Sequence, residues 1–384
     1  MSDLRVLFVD LATQHAQERD VLQEELARVM EEGQWVGGRQ VGEFETAIAS
    51  YCGAAHAISV GSGTDALVLS MRALDIGPGD EVITPPNSFV ASTAAIVQVG
   101  ATPVFVDVQE DQNLDPSKVE AAITSRTRAI MPVHLTGRMS AMGDLLELAR
   151  RHDLRVIEDA AQAVGSRLGA RHAGTLGDMG CFSAHPLKNL NGMGDGGYVL
   201  TDDGALAERL GRLRNNGLLD RNTVVEWGTV SRLDSLQATV LRHRLQRLDA
   251  VIEARRQNAA AYRDLLDLER VFHPGCESDQ FNSFHTFVVQ VERRDALQAF
   301  LTERGVGTSI HYPIPIHLQP AARSLGYVRG DFPVTERQSE RILSLPIHQF
   351  LQRRDIEYVV SCIHQFLQQD SSRPGAVRGE AQAP

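Results

Sequence analysis

The chain has 384 residues, of which 43% are hydrophobic and 23% are charged, and its formal net charge at pH 7 is −11. A chain of this length can bury about 75% of the surface that its unfolded form exposes, so a large core divided over about two domains is expected. The acidic balance argues against a nucleic-acid binder or an anionic-membrane binder, because both need clustered positive charge.

The cysteines and the N-terminal segment indicate in which cellular compartment the protein is expected. Cys52, Cys181, Cys276 and Cys362 are scattered without a CxxC pair, so neither a disulfide nor a zinc framework is expected and a cytoplasmic location is predicted. The N-terminal MSDLRVLFVDLATQ lacks a basic segment followed by a long apolar core, so no signal peptide is expected. No run of about 18 apolar residues is present, which predicts no membrane span.

The first two hundred residues alternate between two hydrophobic periods. Residues 15–32 have helical spacing, and from residue 56 onward short apolar runs alternate with helical segments. The predicted strands are 55–60, 81–85, 103–108, 129–135, 155–159, 181–184 and 198–202, and the predicted helices include 64–74, 88–99 and 140–152. This alternation predicts an α/β domain with a mostly parallel central sheet flanked by helices.

The remainder of the chain has a different pattern. Residues 233–268 form one helical stretch, which is predicted to link two domains. A smaller α+β region follows, with strands 284–291 and 307–312 and helices 294–304, 334–343 and 355–367, the last capped by Asp355. The end of the chain has almost no large apolar residues and is predicted to be disordered. The predicted division is a large α/β domain over 1–235, a linking helix over 236–268, a small C-terminal α+β domain over 269–368 and a disordered tail over 369–384.

The segment GSGTDAL (61–67) joins a predicted strand to a predicted helix. Gly61 and Gly63 allow a tight turn, and the helix that follows offers free N–H groups and its positive dipole end to an anion. A phosphate group is the natural ligand. The alternative is an ordinary strand–helix turn in which Ser62 or Thr64 caps the helix.

A lysine and an aspartate form the most informative pair. Lys188 lies in FSAHPLKNLNGMGDGGYVLTDD (182–203), between two apolar runs, and Asp159 ends the strand RVIED (155–159). Pyridoxal 5'-phosphate (PLP) needs a lysine to hold it as a Schiff base and a carboxylate to keep its pyridine nitrogen protonated. The alternatives are a surface lysine and an N-cap aspartate. The glycines after the lysine favour the first interpretation, because they indicate a backbone that approaches something closely; they are Gly192, Gly194, Gly196 and Gly197.

Three further residues fit the same cofactor. Ser183 lies five residues before Lys188 and could bond the phosphate, while Gln162 could reach the ring oxygen, although a solvent-facing helix position is its alternative. Phe89 follows a strand and a Pro–Pro break and could stack on a planar ring, with core packing as the alternative.

The segment HYPIPIH (311–317) supplies the substrate candidates. Tyr312 and His317 could meet a substrate at a domain cleft, although a rigid loop with two exposed histidines is an equal alternative. No metal site is expected, because His311 and His317 lack a carboxylate or cysteine at ligand spacing. His185, beside Lys188, is interpreted as a packing or hydrogen-bonding residue rather than as the base.

Taken together, these motifs resemble the DegT/StrS family of PLP-dependent sugar aminotransferases, which have the aspartate-aminotransferase-like fold (fold type I). The resemblance runs from about residue 30 to residue 367. The matching stretches are VGGRQVGEFETAIASYCG (36–53), GSGTDAL, GDEVITPPNSFVAS (79–92), GATPVFVDV (100–108), VIEDAAQAVG (156–165), FSAHPLK (182–188), GDGG (194–197) and HYPIPIH.

The resemblance implies a role for each site residue. Lys188 resembles the Schiff-base lysine that also moves protons, Asp159 the pyridinium partner, and Gln162 the residue near the ring hydroxyl. Ser183 resembles part of the phosphate cradle and Phe89 takes the ring-stacking position. The rest of the implied cradle is the backbone of Gly63, Thr64 and Asp65.

The resemblance also implies a homodimer whose active site lies at the subunit interface. One position departs from the family pattern. Many members have an Asn in a Gly-x-Asn-x-Arg stretch that reaches the neighbouring subunit's cofactor phosphate. Here the stretch is WGTVSRLD (227–234), in which Val230 takes the Asn position and Arg232 is kept.

The implied reaction is the transfer of an amino group from an amino acid, L-glutamate by resemblance, to a keto sugar linked to a nucleotide, in amino-sugar biosynthesis. One alternative is a PLP-dependent sugar dehydratase of the same fold, and another is a non-catalytic regulatory relative. In those dehydratases a histidine replaces the lysine, so Lys188 argues against the first alternative. The intact set of Lys188, Asp159 and Ser183 argues against the second.

Overall fold

The computed structural model describes residues 5–371. The predicted disordered tail lies outside the described residues from residue 372 onward, and the last helix extends to Ser371. None of the described helices has both the length and the apolar character that crossing a bilayer requires.

A seven-stranded sheet forms the centre of the N-terminal part. Its spatial order is β1-β9-β8-β5-β4-β2-β3, and β8, β5, β4, β2 and β3 pair in parallel. β9 runs antiparallel to both of its neighbours. The strands are β1 (His56–Val60), β2 (Glu81–Thr84), β3 (Thr102–Phe105), β4 (Thr127–Ile130), β5 (Arg155–Asp159), β8 (Met179–Ser183) and β9 (Gly197–Thr201). The predicted α/β class with a mostly parallel sheet is confirmed.

Helices cover both faces of this sheet. Tyr198 and Leu200 of β9 belong to one buried cluster and Val199 to another, because successive side chains of a strand point to opposite faces. The helices of this part are α1 (Leu11–Glu32), α2 (Arg39–Cys52), α3 (Gly63–Ala73), α4 (Ala91–Gln98), α5 (Pro116–Val119), α6 (Met142–Arg151), α7 (Gly204–Leu213) and α8 (Ser235–Leu245). The sheet is therefore buried on both sides, as strands without an apolar–polar alternation require.

A third buried cluster lies in the C-terminal part. It combines the end of α9 with a two-stranded antiparallel sheet and two helices, and Val6 from the N-terminal segment joins it. The elements are α9 (Leu248–Leu265), β11 (Phe287–Gln290), α10 (Arg294–Glu303), α11 (Pro333–Arg341), β12 (Ile342–Leu345) and α12 (Arg353–Ser371). A small three-stranded sheet combines β10 (Gln280–Phe281), β6 (Arg167–Leu168) and β7 (Arg171–His172). The division into domains at 235, 268 and 368 stays a prediction.

Several predicted elements differ from the observed ones. The stretch 233–268 is two helices rather than one, because the helical hydrogen bonding is interrupted by a turn at Gln246 and Arg247 between α8 and α9. The predicted strand 307–312 reduces to one bridge between Ser309 and Ser344, and the strand that pairs with β11 is β12 instead. The helix predicted to reach residue 343 ends at Arg341, and α2 and α7 were not predicted.

Candidate active site

A cavity of about 470 Å³ opens at the carboxyl ends of the central strands. Ligands of α/β sheets bind at this edge. Its walls come from the N-terminal segment, the start of α3, the ends of β5 and β8, the β8–β9 connection, α9 and the C-terminal loops. The predicted residues that line it are Gly63, Thr64, Phe89, Asp159, Gln162, Ser183, Lys188 and Tyr312.

Lys188 lies on the connection between β8 and β9, which brings it to the same sheet edge as Asp159. Its backbone N–H donates to the carbonyl oxygen of His185 at 2.8 Å, which fixes the turn that carries the side chain. The side chain is half-buried. Burial lowers the pKa of Lys188 from 10.5 to about 8, and the nearby carboxylate of Asp159 offsets part of that effect. At pH 7 about a tenth of this amine is therefore unprotonated, a far larger share than for a lysine with an ordinary pKa. The surface-lysine alternative does not describe this position.

Asp159 ends β5 with its side chain directed into the cavity and only 5% of its surface exposed. The Ser92 hydroxyl donates to Oδ2 at 2.7 Å, and the Ala161 N–H donates to Oδ1 at 3.2 Å. Two fixed donors orient a carboxylate and stabilise its charge. Ser92, in the first turn of α4, was not among the sequence candidates, and its only signal was its place three residues after Phe89.

The start of α3 packs directly against the end of β8. A Cβ on Gly63 would lie 2.7 Å from the Cβ of Ser183, and a Cβ on Gly197 would lie 2.5 Å from the carbonyl group of Ser62. Glycine is therefore required where the helix N-terminus meets these strands. This packing places the Ser183 hydroxyl beside the helix N-terminus, a combination suited to an anion.

The helix N-terminus is also capped, as the alternative interpretation stated. Ser62 accepts a hydrogen bond from the Asp65 N–H at 3.1 Å. The N–H groups of Gly63 and Thr64 belong to the first helical turn and have no partner within the helix. The Asp65 carboxylate accepts from the Ser231 hydroxyl at 2.8 Å and does not line the cavity.

Gln162 and two aromatic residues form one side of the cavity. Gln162 Oε1 accepts from the Thr136 N–H at 2.8 Å, which directs its amide nitrogen to the Tyr312 hydroxyl at 3.4 Å. The Tyr312 ring lies 5.7 Å from the Phe89 ring, centroid to centroid. Phe89 is 54% exposed, so it does not serve core packing. Its ring face is available to a planar ligand.

The structure does not bring His317 to this cavity. The ring is only 2% exposed, its Nε2 lies 3.0 Å from Glu336 Oε1, and it packs against Phe332 at 4.7 Å. The expectation of a substrate contact is therefore not met, and neither is the alternative of an exposed histidine. His311, six residues earlier, does line the cavity, with Nδ1 2.8 Å from the Ser344 hydroxyl.

Several basic and aromatic residues that complete the walls were not predicted from the sequence. Arg255 of α9 lies one turn after a leucine and isoleucine pattern that indicates a structural helix, so nothing local singles it out. The other missed residues come from chain segments remote from Lys188. They are Phe8, His285 and His348.

A buried network fixes the glycine-rich turn that follows Lys188. Arg244 of α8 forms an ion pair with Glu18 of α1, and both side chains are buried. The same guanidinium donates to the carbonyl oxygens of Asn191 at 2.7 Å and Gly192 at 3.1 Å. A charged pair that also satisfies backbone carbonyls pins the turn in one conformation. The β8–β9 connection is therefore held rigidly beside the cavity.

No group of three His, Cys, Asp or Glu side chains within residues 5–371 is arranged to hold a metal ion.

A sequence model of the DegT/DnrJ/EryC1/StrS aminotransferase family matches residues 16–364 of the chain. The dTDP-3-amino-3,4,6-trideoxy-alpha-D-glucose transaminase of Streptomyces venezuelae is 43% identical, over 94% of this chain and 96% of its own length. A protein named pleiotropic regulatory protein, from Geobacillus stearothermophilus, is 40% identical over 94% of this chain and 99% of its own length.

A solved structure gives the same fold. The crystal structure of S. venezuelae DesV in complex with a ketimine intermediate superposes with a TM-score of 0.92. The two chains are 43% identical, and the match covers 94% of this chain and 98% of that one.

Proposed function

Because the chain belongs to the DegT/DnrJ/EryC1/StrS aminotransferase family and is an aminotransferase, we propose that it moves an amino group from L-glutamate to a keto sugar that carries a nucleotide. The S. venezuelae relative, named for a dTDP-linked amino sugar, supports a nucleotide-linked acceptor. The observation that carries the proposal is the placing of the Lys188 amine, with its pKa near 8, in one cavity with the Asp159 carboxylate.

The residues present fit pyridoxal phosphate. Gly63 lets the N-terminus of α3 pack directly against Ser183, so the free N–H groups of the helix and the Ser183 hydroxyl lie side by side, and the helix dipole there favours a phosphate group. Phe89 offers an exposed ring face, and Asp159 offers a carboxylate held by two donors. Gln162 would lie near the ring oxygen.

When bound, PLP supplies the carbon that takes up the amino group and a ring that withdraws electrons. Lys188 would hold the cofactor covalently through Nζ and, once released, its amine would accept the proton that leaves the α-carbon of the donor. Its lowered pKa suits it to this work near neutral pH. The Asp159 carboxylate would keep a proton on the ring nitrogen, and the Ser92 hydroxyl holds that carboxylate in place.

The proposal includes a homodimer with the active site at the subunit interface. The segment 215–230 is an arm held by antiparallel bridges between Asn215 and Val230 and between Leu218 and Val224. It exposes several large apolar side chains, which mark contact surfaces when they cluster. They are Leu219, Val224, Val225, Trp227 and Val230. Family resemblance supports a second copy as the occupant.

A cytoplasmic location also belongs to the proposal. Its support is that the four cysteines are free thiols, as expected of a protein that works in a reducing compartment.

The lysine content makes a direct test of Lys188 practical. The chain has only two lysines, Lys118 and Lys188. Lys118 is half-exposed near Asp107 and Asp115, at 3.6 and 3.5 Å. Borohydride reduction of the PLP-loaded protein, followed by peptide mass analysis, is expected to fix the cofactor mass on Lys188. Lys188→Ala is expected to lose the fixed mass and Lys118→Arg to keep it. A cofactor mass that stays on the chain in Lys188→Ala would contradict the assignment.

The donor and the acceptor need a second experiment. Adding L-glutamate to the PLP-loaded protein is expected to remove the absorption band of the lysine-bound cofactor, whereas a protein that only binds the cofactor would keep the band. The aminated form is then mixed with a panel of keto sugars linked to dTDP or UDP and with free keto sugars. Return of the band identifies the acceptor, and return with free sugars alone would overturn the nucleotide-linked acceptor.

A further inference from the structure

Arg255 is a cation of the cavity wall that has no acidic partner. The residue is only 7% exposed, and no carboxylate within residues 5–371 forms an ion pair with its guanidinium. Burial lowers its pKa to about 10, so the group stays charged at neutral pH. A buried charge without a counter-charge destabilises the folded protein. Such a charge is retained in a binding site where a ligand supplies the counter-charge.

The hydrogen bonds of Arg255 use one side of the guanidinium. Nη1 donates to the carbonyl oxygens of Phe284 and His285, each at 3.1 Å. Nε is buried without a hydrogen-bond acceptor among the described residues, and within residues 5–371 the hydrogen bonds of this guanidinium are made by Nη1. A guanidinium has five N–H donors, and its Nε and Nη2 donors point in parallel, a geometry that matches the two oxygens of a carboxylate. The occupied side fixes the orientation, and the Nε–Nη2 edge remains for a ligand.

We propose that the Nε–Nη2 edge of Arg255 binds the carboxylate that is attached to the reacting carbon of the amino donor, an inference that rests on the proposed transamination. The donor's α-carboxylate lies one bond from the carbon that reacts at Lys188. The wall residue His285 lies close enough to both Arg255 and Lys188 for the two positive charges to contribute to the lowering of its pKa, after burial itself. Arg255 is therefore near the reacting amine.

An anion of the sugar substrate is the other source of the same chemistry. The phosphates of a nucleotide sugar are separated from the reacting carbon by several bonds, and the cradle at Gly63 and Ser183 is assigned to the cofactor. A carboxylate beside the reacting carbon fits the placing of Arg255 better than a distant diphosphate does. The two sources act in different half-reactions, so kinetics separate them.

The test compares Arg255→Lys and Arg255→Met with the same changes at Arg256. Arg256 is the next residue of α9, bonds the Asn282 carbonyl oxygen at 3.1 Å, packs on the Phe281 ring and does not line the cavity. Each PLP-loaded variant is mixed with L-glutamate in single-turnover experiments, and its aminated form is mixed with the keto sugar that the panel identifies. Equilibrium binding of 2-oxoglutarate to the aminated form, measured by calorimetry, is a readout that needs no turnover.

We expect both Arg255 variants to raise the half-saturating L-glutamate concentration and the 2-oxoglutarate dissociation constant by at least about 30-fold, the effect of losing a bidentate charged contact. The keto-sugar half-reaction and both Arg256 variants are expected to change by less than about threefold. An unchanged L-glutamate dependence in a folded Arg255→Lys protein, or a shift confined to the keto-sugar half-reaction, would overturn the proposal. An equal shift in both half-reactions would indicate a general structural role and would overturn it too. If the wild-type protein does not react with L-glutamate at all, the proposed donor fails, while 2-oxoglutarate binding still decides the role of Arg255.

Discussion

Burial of the Lys188 amine lowers the stability of the protein when no cofactor is bound. Its folded-state pKa of about 8 lies below the ordinary 10.5, so folding disfavours the charged form. Between pH 8 and 10.5 the unfolded chain binds the proton more strongly than the folded chain, and stability rises with pH in that window. Below pH 8 the full penalty applies.

We therefore expect Lys188→Met to raise the free energy of unfolding of the cofactor-free protein at pH 7 by about 1–2 kcal/mol, a value reduced from the full pKa shift because the side chain is only half-buried. Urea unfolding from pH 7 to pH 11 measures it. The gain is expected to shrink as the pH rises from 8 to 10.5. Lys118→Met is the control, and a gain for Lys188→Met that is independent of pH would contradict the electrostatic cause.

Ser92 would act on the proposed cofactor only through Asp159. Ser92→Ala removes one of the two donors to that carboxylate, so we expect kcat to fall about tenfold while the protein stays folded. Steady-state kinetics with L-glutamate measure the fall. Ser361→Ala is the control, since that exposed hydroxyl bonds only the Tyr358 carbonyl oxygen 2.8 Å away in α12. Ser92→Thr, which keeps a hydroxyl, is expected to recover part of the rate; equal losses in Ser92→Ala and Ser361→Ala would argue against a positioning role.

At the scale of elements, the contact between α3 and β8 shapes the proposed phosphate cradle. Gly63→Ala would place a Cβ 2.7 Å from the Ser183 Cβ and push the helix N-terminus away from the strand. We expect cofactor affinity to fall by about tenfold or more, as measured by titration of the cofactor-free protein with PLP.

Gly211→Ala provides the matched control for that change. Gly211 lies inside α7, and a Cβ there meets nothing within 4 Å. Alanine is a better helix former than glycine by about 1 kcal/mol, so this variant is expected to gain stability and keep its cofactor affinity. Loss of affinity in both variants would show that the cradle is not the cause.

The ion pair between Arg244 and Glu18 joins α8 and α1 to the turn after Lys188. Arg244→Met leaves the Glu18 carboxylate buried and unpaired, together with two backbone carbonyls, so we expect unfolding to become easier by about 3–5 kcal/mol. Denaturant unfolding measures this. The exposed pair of Arg28 and Glu25 is the control, and breaking it is expected to cost about 0.5 kcal/mol or less. Similar losses for both pairs would contradict the argument.

The helices and strands with a local sequence pattern were predicted correctly, whereas those that depend on contacts with distant residues were not. The apolar runs and glycine turns located β5, β8, β9 and the start of α3 to within about two residues. No glycine or proline indicates the helix break at Arg247. The strand β12 forms because it pairs with Phe287–Gln290, which is distant in the sequence.

The same distinction holds for the site. Lys188 and Asp159 were predicted because each stands at the end of an apolar run, where a sheet edge is expected. Arg255 and Ser92 have their hydrogen-bond partners far along the chain, and the contact of His317 with Glu336 depends on tertiary structure that the local sequence does not indicate. Residues whose environment depends on tertiary contacts could not be recognised from the periodicity of the sequence.

At the scale of the whole molecule, the arm over 215–230 leaves Trp227 85% exposed. We expect Trp227→Glu to shift the proposed dimer towards monomer, because a charge would be buried at the contact. Sedimentation at several protein concentrations measures the shift, and circular dichroism confirms that the variant folds. A Trp227→Glu protein that associates like the wild type would show that the arm is not the contact surface.

The scarcity of lysine has a practical consequence for surface chemistry. Lys188 is enclosed in the cavity, so amine-directed coupling on a cofactor-loaded protein meets Lys118 and the α-amino group, whereas the many arginines do not react. Coupling above neutral pH would therefore attach the protein to a support through two amines, the half-exposed Lys118 and the α-amino group. Immobilised enzyme prepared in this way would hold two orientations at most, and acylating reagents would label the protein sparsely and reproducibly.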